Sequence, residues 1–291
     1  MVRGQQKLGK RRQTIKWYLI FLLTAASLFL PLFSSGVVES KERPDSIYPP
    51  LIDAVILRLK QSYGIQFCYY GIDKAGFKDG DMAFEEADMS DYKRLYRYIQ
   101  IFDEEIQKYP ADFFRQENLK EIYFVKRLFH KENNAEGLYD YRKKIIFFDF
   151  ASQGGGMLVA RHNIHHEIFH ALDTNTFNWK EQDWEDLNEP DFEYVKTGKV
   201  FIGGEKNESN YFAPHRKGFV TYYAMKSAYE DKAEVFACLF IKSQNRLIHR
   251  WALNDPILEK KIQAIKRFLK EYSQGQIDEL YFEKLWKNFT K

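Results

Sequence analysis

From residue 48 onward the chain alternates between helical and strand-like spacing of its apolar positions. Ile52, Val55, Ile56 and Leu59 recur at steps of three and four, predicting an amphipathic helix over Tyr48–Tyr63. The run Ile65-Gln66-Phe67-Cys68-Tyr69-Tyr70 reads as a strand, and the polar, glycine-containing residues 74–90 as a loop. Leu95, Tyr98, Ile99, Phe102 and Ile106 share one side of a helix over 91–108, which Pro110 closes. Residues 119–128 and 139–150 are rich in β-branched and aromatic side chains and are separated by a polar segment ending at Gly137. They read as adjacent strands of one sheet, with antiparallel pairing one arrangement open to them.

Three glycines, Gly154 to Gly156, then interrupt the pattern. A phosphate-cradling loop would need a following Lys-Ser or Lys-Thr, which is absent, so they read as a turn. After them Met157, Leu158, Ala160, Ile164, Ile168 and Leu172 form one stripe of a helix, while His162, His166, His170 and Asp173 lie on roughly the opposite side. Such a helix can put one face into a core and line a cleft with the other. Residues 174–218 are polar with isolated aromatics, and read as a long loop that either walls a cleft or makes a surface excursion. A further helix carries Glu230 and Glu234 on one face and continues through Leu239, Phe240 and Ile241. A small sheet followed by mainly helical sequence is an α+β arrangement.

Residues 166–170 read H-E-x-x-H. On a helix of 3.6 residues per turn His166 and His170 share a face, so two imidazoles can converge on one metal ion, with Glu167 beside them to take a proton from a bound water. A catalytic zinc usually keeps three protein ligands and one open position. Glu230 is the expected third ligand, and Glu234, one turn on, can accept the other ring N–H of a ligating histidine. A Glu-x-x-x-Glu pair is ordinarily a solvated helix face. Here the run Val235, Phe236, Ala237, Leu239, Phe240 marks the helix as largely buried, and a buried carboxylate pair calls for a cation. His162 and His165 read as packing or supporting residues, because only His166 and His170 have the glutamate between them. His215 reads as an ordinary loop histidine.

Charge changes the picture at the N-terminus. The formal net charge is +3, but residues 1–16 alone carry six basic side chains and no acid, leaving −3 on the rest. No concentrated basic patch remains to suggest nucleic-acid binding. Residues 17–38 contain no charge and are mostly Leu, Phe, Ile and Ala, a length that matches the hydrocarbon core of a bilayer. They read as a transmembrane signal anchor, or as a signal peptide cut near Ser34-Ser35-Gly36. Residues 1–16 are then a cytoplasmic tail, residues 39–47 a linker, and residues 48–291 one domain outside the cytoplasm. The aromatic content of 17% favours a packed globule over a disordered stalk. Cys68 and Cys238 are the two cysteines, and a disulfide between them or two buried thiols are both open.

The segment His166-Glu167-Ile168-Phe169-His170-Ala171-Leu172-Asp173, with Tyr223 and Glu230-Asp231-Lys232-Ala233-Glu234, resembles the gluzincin metallopeptidases. It is most similar in motif to the anthrax lethal factor catalytic domain and the Pro-Pro endopeptidases, which share H-E-x-x-H-A-x-D, a later E-x-x-A-E, and a tyrosine seven residues before its first glutamate. The run from Lys108 to Phe114 is similar to uncharacterised zinc metallopeptidases of bacterial envelopes. The resemblance implies a zincin-like fold, one Zn2+ at His166, His170 and Glu230, and Glu167 as catalytic base. It implies Tyr223 as the oxyanion donor and a peptide or protein substrate. It selects Glu230 over Glu234 as the ligand and carries no cleavage preference. Beside the resemblance, Glu234 is expected as a supporting residue from its place one turn on, and Asp173 either supports the site by a hydrogen bond near the helix end or terminates the helix. The competing expectations are a catalytically silent, membrane-anchored binding protein on the same scaffold, and a zinc hydrolase of cell-wall cross-links.

Overall fold

The computed structural model describes residues 47–77, 82–116, 119–131, 133–152, 156–176, 181–195 and 216–288. The basic tail, the apolar segment 17–38, all but the last residue of the linker, and His215 lie outside them. Among the described residues no helix is long and apolar enough to cross a membrane.

Helix α1 (Tyr48–Tyr63) and helix α2 (Tyr92–Ile106) form where the spacing predicts them. Gly64 ends α1 in the left-handed conformation, at φ 71°, and returns its N–H to the carbonyl of Lys60. Between them the strand β1 is shorter than predicted, Gln66–Cys68. The expected loop 74–90 holds a 3-10 turn, Lys74–Phe77, and a strand β2, Met82–Glu85.

The runs 119–128 and 139–150 are adjacent in one sheet, as expected, and of the two pairings open to them the parallel one is found. Strand β3 (Glu121–His130) pairs in parallel with both β1 and β6 (Ile145–Asp149). The expected single strand 139–150 is two strands, β5 (Gly137–Asp140) and β6, paired antiparallel with Tyr139 opposite Ile146. The cause is local: the Asp140 carboxylate accepts from the amides of Arg142 and Lys143, folding residues 141–144 into a turn. The chain therefore reverses before β6, which turns β6 parallel to β3 and puts β5 at the end of the order β1-β3-β6-β5. Past Val125 the outer half of β3 pairs instead with β2 and with β4 (Asn133–Asn134).

Strand period two divides β3 and β6 between two apolar clusters. Ile122, Phe124, Ile146 and Phe148 face the main core with α1 and α2, whereas Tyr123, Val125, Ile145 and Phe147 face a smaller cluster with Ile72 and Phe84. Every residue of β6 is buried, because each of its faces is covered.

Helix α3 (Gly156–Thr176) carries the H-E-x-x-H run and continues beyond Asp173, which does not terminate it. It is followed by a short helix α4 (Glu181–Glu185), a 3-10 turn Tyr223–Lys226, and α5 (Ala228–Leu239), α6 (Lys242–Ala252), α7 (Pro256–Tyr272) and α8 (Glu279–Asn288). Helix α5 stops at Leu239 rather than running on: Phe240 caps it and Ile241 begins α6. The histidine stripe of α3 faces α5, and residues 164–173 are all buried, with His166, Glu167 and His170 keeping 5–7% exposure. Cys68 is half-buried and Cys238 buried, and both are free thiols. A small sheet with a mostly helical C-terminal part is the α+β arrangement expected.

Candidate metal centre

Helical spacing sets His166 and His170 one turn apart on α3, and their Nε2 atoms stand 2.9 Å from each other. The opposite wall comes from α5. Ser227, in extended backbone, caps that helix by accepting from the amide of Glu230, so Glu230 occupies its first turn. Its side chain does not reach back to the cap but crosses to α3, where Oε2 lies 3.1 Å from His166 Nε2 and 3.2 Å from His170 Nε2.

Two imidazole nitrogens and a carboxylate oxygen thus converge, 2.9 to 3.2 Å apart. A tetrahedral zinc with bonds of about 2.0–2.1 Å holds its ligand atoms about 3.3 Å apart, so the set fits that ion with only a slight opening. These are lone-pair atoms pointing at a common centre, an arrangement that repels itself unless a cation or proton sits within it. A second cluster, His162, His166 and Glu234, also gathers donor atoms within metal-binding range. Here Glu234 Oε1 lies 3.0 Å from His162 Nε2 and 2.8 Å from His166 Nδ1, the ring nitrogen that the first set does not use, and the latter contact is somewhat off the line of the ring N–H. Glu234 Oε2 accepts from the Thr221 hydroxyl at 2.7 Å. The carboxylate is fully satisfied while it faces the outer nitrogen of His166, the supporting contact that orients a ligating imidazole. On its other side His162 meets Gln244, Nδ1 to Oε1, at 2.9 Å.

Glu167 lies against the sheet edge. The amide of Tyr139 on β5 donates to it, and burial raises its carboxyl to about 7 against the opposing pull of His166. Asn163, one turn earlier, donates to Glu136 just before β5 at 2.6 Å, tying the strand to the helix. The Glu230 carboxyl is held well below the usual range: burial opposes its charge, but the two histidines outweigh it. Tyr223 is held well above its ordinary value by burial and then by Glu230, so its hydroxyl keeps its proton. That hydroxyl donates to Glu230 Oε1 at 3.0 Å.

The remaining expected residues divide. Asp173 forms a buried ion pair with Lys232 at 2.6 Å, joining α3 to α5. His165 belongs to a separate network behind α3, with Nδ1 2.6 Å from the Tyr109 hydroxyl and Nε2 2.7 Å from Glu105, which also pairs with Lys108 and Arg161. Several neighbours carried no signal in the sequence. The Tyr229 ring stacks on His170 at 3.9 Å between centroids, Gly137 abuts Glu167, and Lys226 sits 3.1 Å from both Tyr223 Oη and Glu230 Oε1.

An α+β domain whose H-E-x-x-H helix meets a glutamate from a later helix has the form of a zinc-dependent metallopeptidase. The chain belongs to the family described as "Putative zinc-binding metallo-peptidase", whose model matches residues 57–278. A crystal structure from Bacteroides caccae ATCC 43185, described in the same words, is similar over 86% of this chain and 95% of that one, with a TM-score of 0.53. At 19% identity this likeness is one of fold. No curated protein matches the chain.

Proposed function

We propose that this protein is a zinc-dependent endopeptidase acting on peptide or protein substrates, with Glu167 as general base. The observation that carries the reading is the meeting of His166, His170 and Glu230 at mutual distances of 2.9 to 3.2 Å, with Glu167 on the same helix. Membership of a zinc metallopeptidase family supports the same class of chemistry.

Zinc, when bound, supplies a Lewis acid that lowers the pKa of water to roughly 7 and polarises a substrate carbonyl. The two imidazoles and Oε2 of Glu230 are the groups that would hold it. Glu167 takes the proton of the attacking water and returns it to the leaving amine; its buried, raised carboxyl suits a group that must carry a proton in both directions. Tyr223 keeps its phenolic proton, and donating it to the tetrahedral oxyanion would contribute about 2 to 4 kcal/mol of transition-state stabilisation. Among the described residues strand β5 ends the strand order, and the backbone groups of its outer edge other than the Tyr139 amide, which Glu167 holds, can take an extended peptide by main-chain pairing, bringing a carbonyl alongside Glu167.

The deciding experiment measures bound zinc in the purified protein and compares peptide-library cleavage by the wild type and Glu167→Gln. One zinc per chain with cleavage lost in the variant is expected. Zinc without cleavage by either protein leaves the silent binding scaffold, and cleavage that persists in Glu167→Gln removes the base. For location, we propose that residues 17–38 hold the catalytic domain outside the cytoplasm; their lack of charge and the six basic residues before them support this. A reporter fused after residue 291 should be active only as an extracytoplasmic form, and activity of a cytoplasmic form would reject the topology.

A further inference from the structure

Tyr223 has one proton, and in the resting arrangement that proton is already given to Glu230 Oε1. If the hydroxyl is to serve a developing oxyanion it must leave that carboxylate. A buried carboxylate oxygen deprived of its donor is costly, so the departure would oppose catalysis unless another group took over.

Lys226 is placed to do so. Its ammonium lies 3.1 Å from Glu230 Oε1 and 3.1 Å from Tyr223 Oη, and 4.8 Å from the centre of the Tyr223 ring. With Tyr223 Oη 3.0 Å from the same carboxylate oxygen, the three polar atoms close a triangle. An ammonium has three donors and can serve both oxygens at once. One turn of α5 and the preceding 3-10 turn fix this geometry, since Lys226 stands four residues before Glu230 and three after Tyr223.

We propose that Lys226 is a positioning residue of the centre. It keeps Oε1 of Glu230 paired, so that Oε2 alone stays turned to the histidines, and it frees the Tyr223 hydroxyl to move to the substrate without orphaning the carboxylate. The proposal rests on the zinc peptidase reading, but it makes a claim about metal binding that needs no substrate.

The test is a double-substitution cycle on the full chain, reading Zn2+ affinity by competition with a chelator for wild type, Tyr223→Phe, Lys226→Met and the double variant. Each single variant leaves one donor on Oε1, so each should weaken zinc by less than about threefold. The double variant leaves neither and should weaken it by about 10- to 100-fold, well beyond the product of the singles. Lys226→Arg in the Tyr223→Phe background should restore most of the loss. A multiplicative double variant, a Lys226→Met loss equal to the double, or no rescue by arginine overturns the proposal. With a cleaved peptide in hand, Lys226→Met should lower kcat about tenfold or more with KM within about threefold; an unchanged kcat overturns the hand-over. Wild-type protein that binds zinc but cleaves nothing defeats the peptidase reading while the affinity cycle still decides the role of Lys226. Wild-type protein that binds no zinc defeats both.

Discussion

Gly137 and Glu167 approach so closely that a Cβ on the glycine would stand 2.5 Å from Cγ of the glutamate and 2.9 Å from its Oε1. Cγ is near the root of the side chain and cannot swing aside as a flexible tip could, so the edge strand and the proposed base fit only because position 137 has no side chain. Gly137→Ala should displace Glu167 while leaving the three proposed ligands in place. We expect kcat to fall by roughly 10- to 100-fold with zinc content unchanged, since misplacement of a catalytic group by about 1 Å costs that much. Steady-state kinetics beside metal analysis checks it; a fully active variant would mean that Glu167 is not the base or that the strand yields.

Zinc binding should displace a proton. In the metal-free chain burial opposes a charge on His166, but its bonds to Glu230 and Glu234 outweigh this and push it up to about 10. Burial, and then the neighbouring His166, hold His170 down to about 4. Near pH 7 the pair therefore carries one proton more than two neutral imidazoles, an extra proton whose stabilisation of the metal-free fold is complete below about 6.5 and lost as pH rises through about 10. Zinc must expel it. Calorimetry in buffers of different ionisation enthalpy should find at least one proton released per zinc at pH 7, with Glu167, held up to about 7 in the metal-free protein, adding up to about half of another, and affinity should rise by about tenfold per unit between pH 7 and 9. Binding with no proton release would show that the two imidazoles are neutral beforehand.

Glu234 supports His166 without facing the proposed ion. Glu234→Ala removes the acceptor of His166 Nδ1, His162 and Thr221 together, and should weaken zinc by about 10- to 100-fold. Glu234→Gln, which keeps one acceptor oxygen, should lose less. Chelator competition distinguishes them, and equal affinity across all three proteins would remove Glu234 from the metal's support.

Next to Glu230, Asp231 turns the other way. Its Oδ2 accepts from Lys261 at 2.6 Å, Tyr194 at 2.7 Å and Trp184 at 2.8 Å, and both members of the ion pair are fully buried. Asp231→Ala strands the Lys261 ammonium and should destabilise the fold by about 3–5 kcal/mol, whereas adding Lys261→Met should recover part of that. Urea denaturation of the zinc-loaded proteins tests both, and a single variant as stable as wild type would contradict the account.

The helix carrying His166 and His170 was legible because its information is local: four residues make one turn, whatever lies around it. The same holds for α1, α2 and the α+β order of elements, each written in apolar spacing. The buried face of the later helix also pointed to the carboxylate pair Glu230 and Glu234, and the family resemblance chose Glu230 between them. Strand direction was not legible, since a run of β-branched and aromatic residues fits a parallel or an antiparallel neighbour equally, and a turn at Asp140 decided between them. Nor were Gly137, Lys226 and Tyr229, which look like any glycine, lysine and tyrosine until strand β5 and helix α5 are set against α3. By itself the sequence determined which residues could hold a metal, because ligand type and helical register are properties of short stretches. Only the tertiary structure decided that His170 and Glu230, sixty positions apart, stand 3.2 Å from each other, because that distance depends on how α5 packs across α3 rather than on either helix alone.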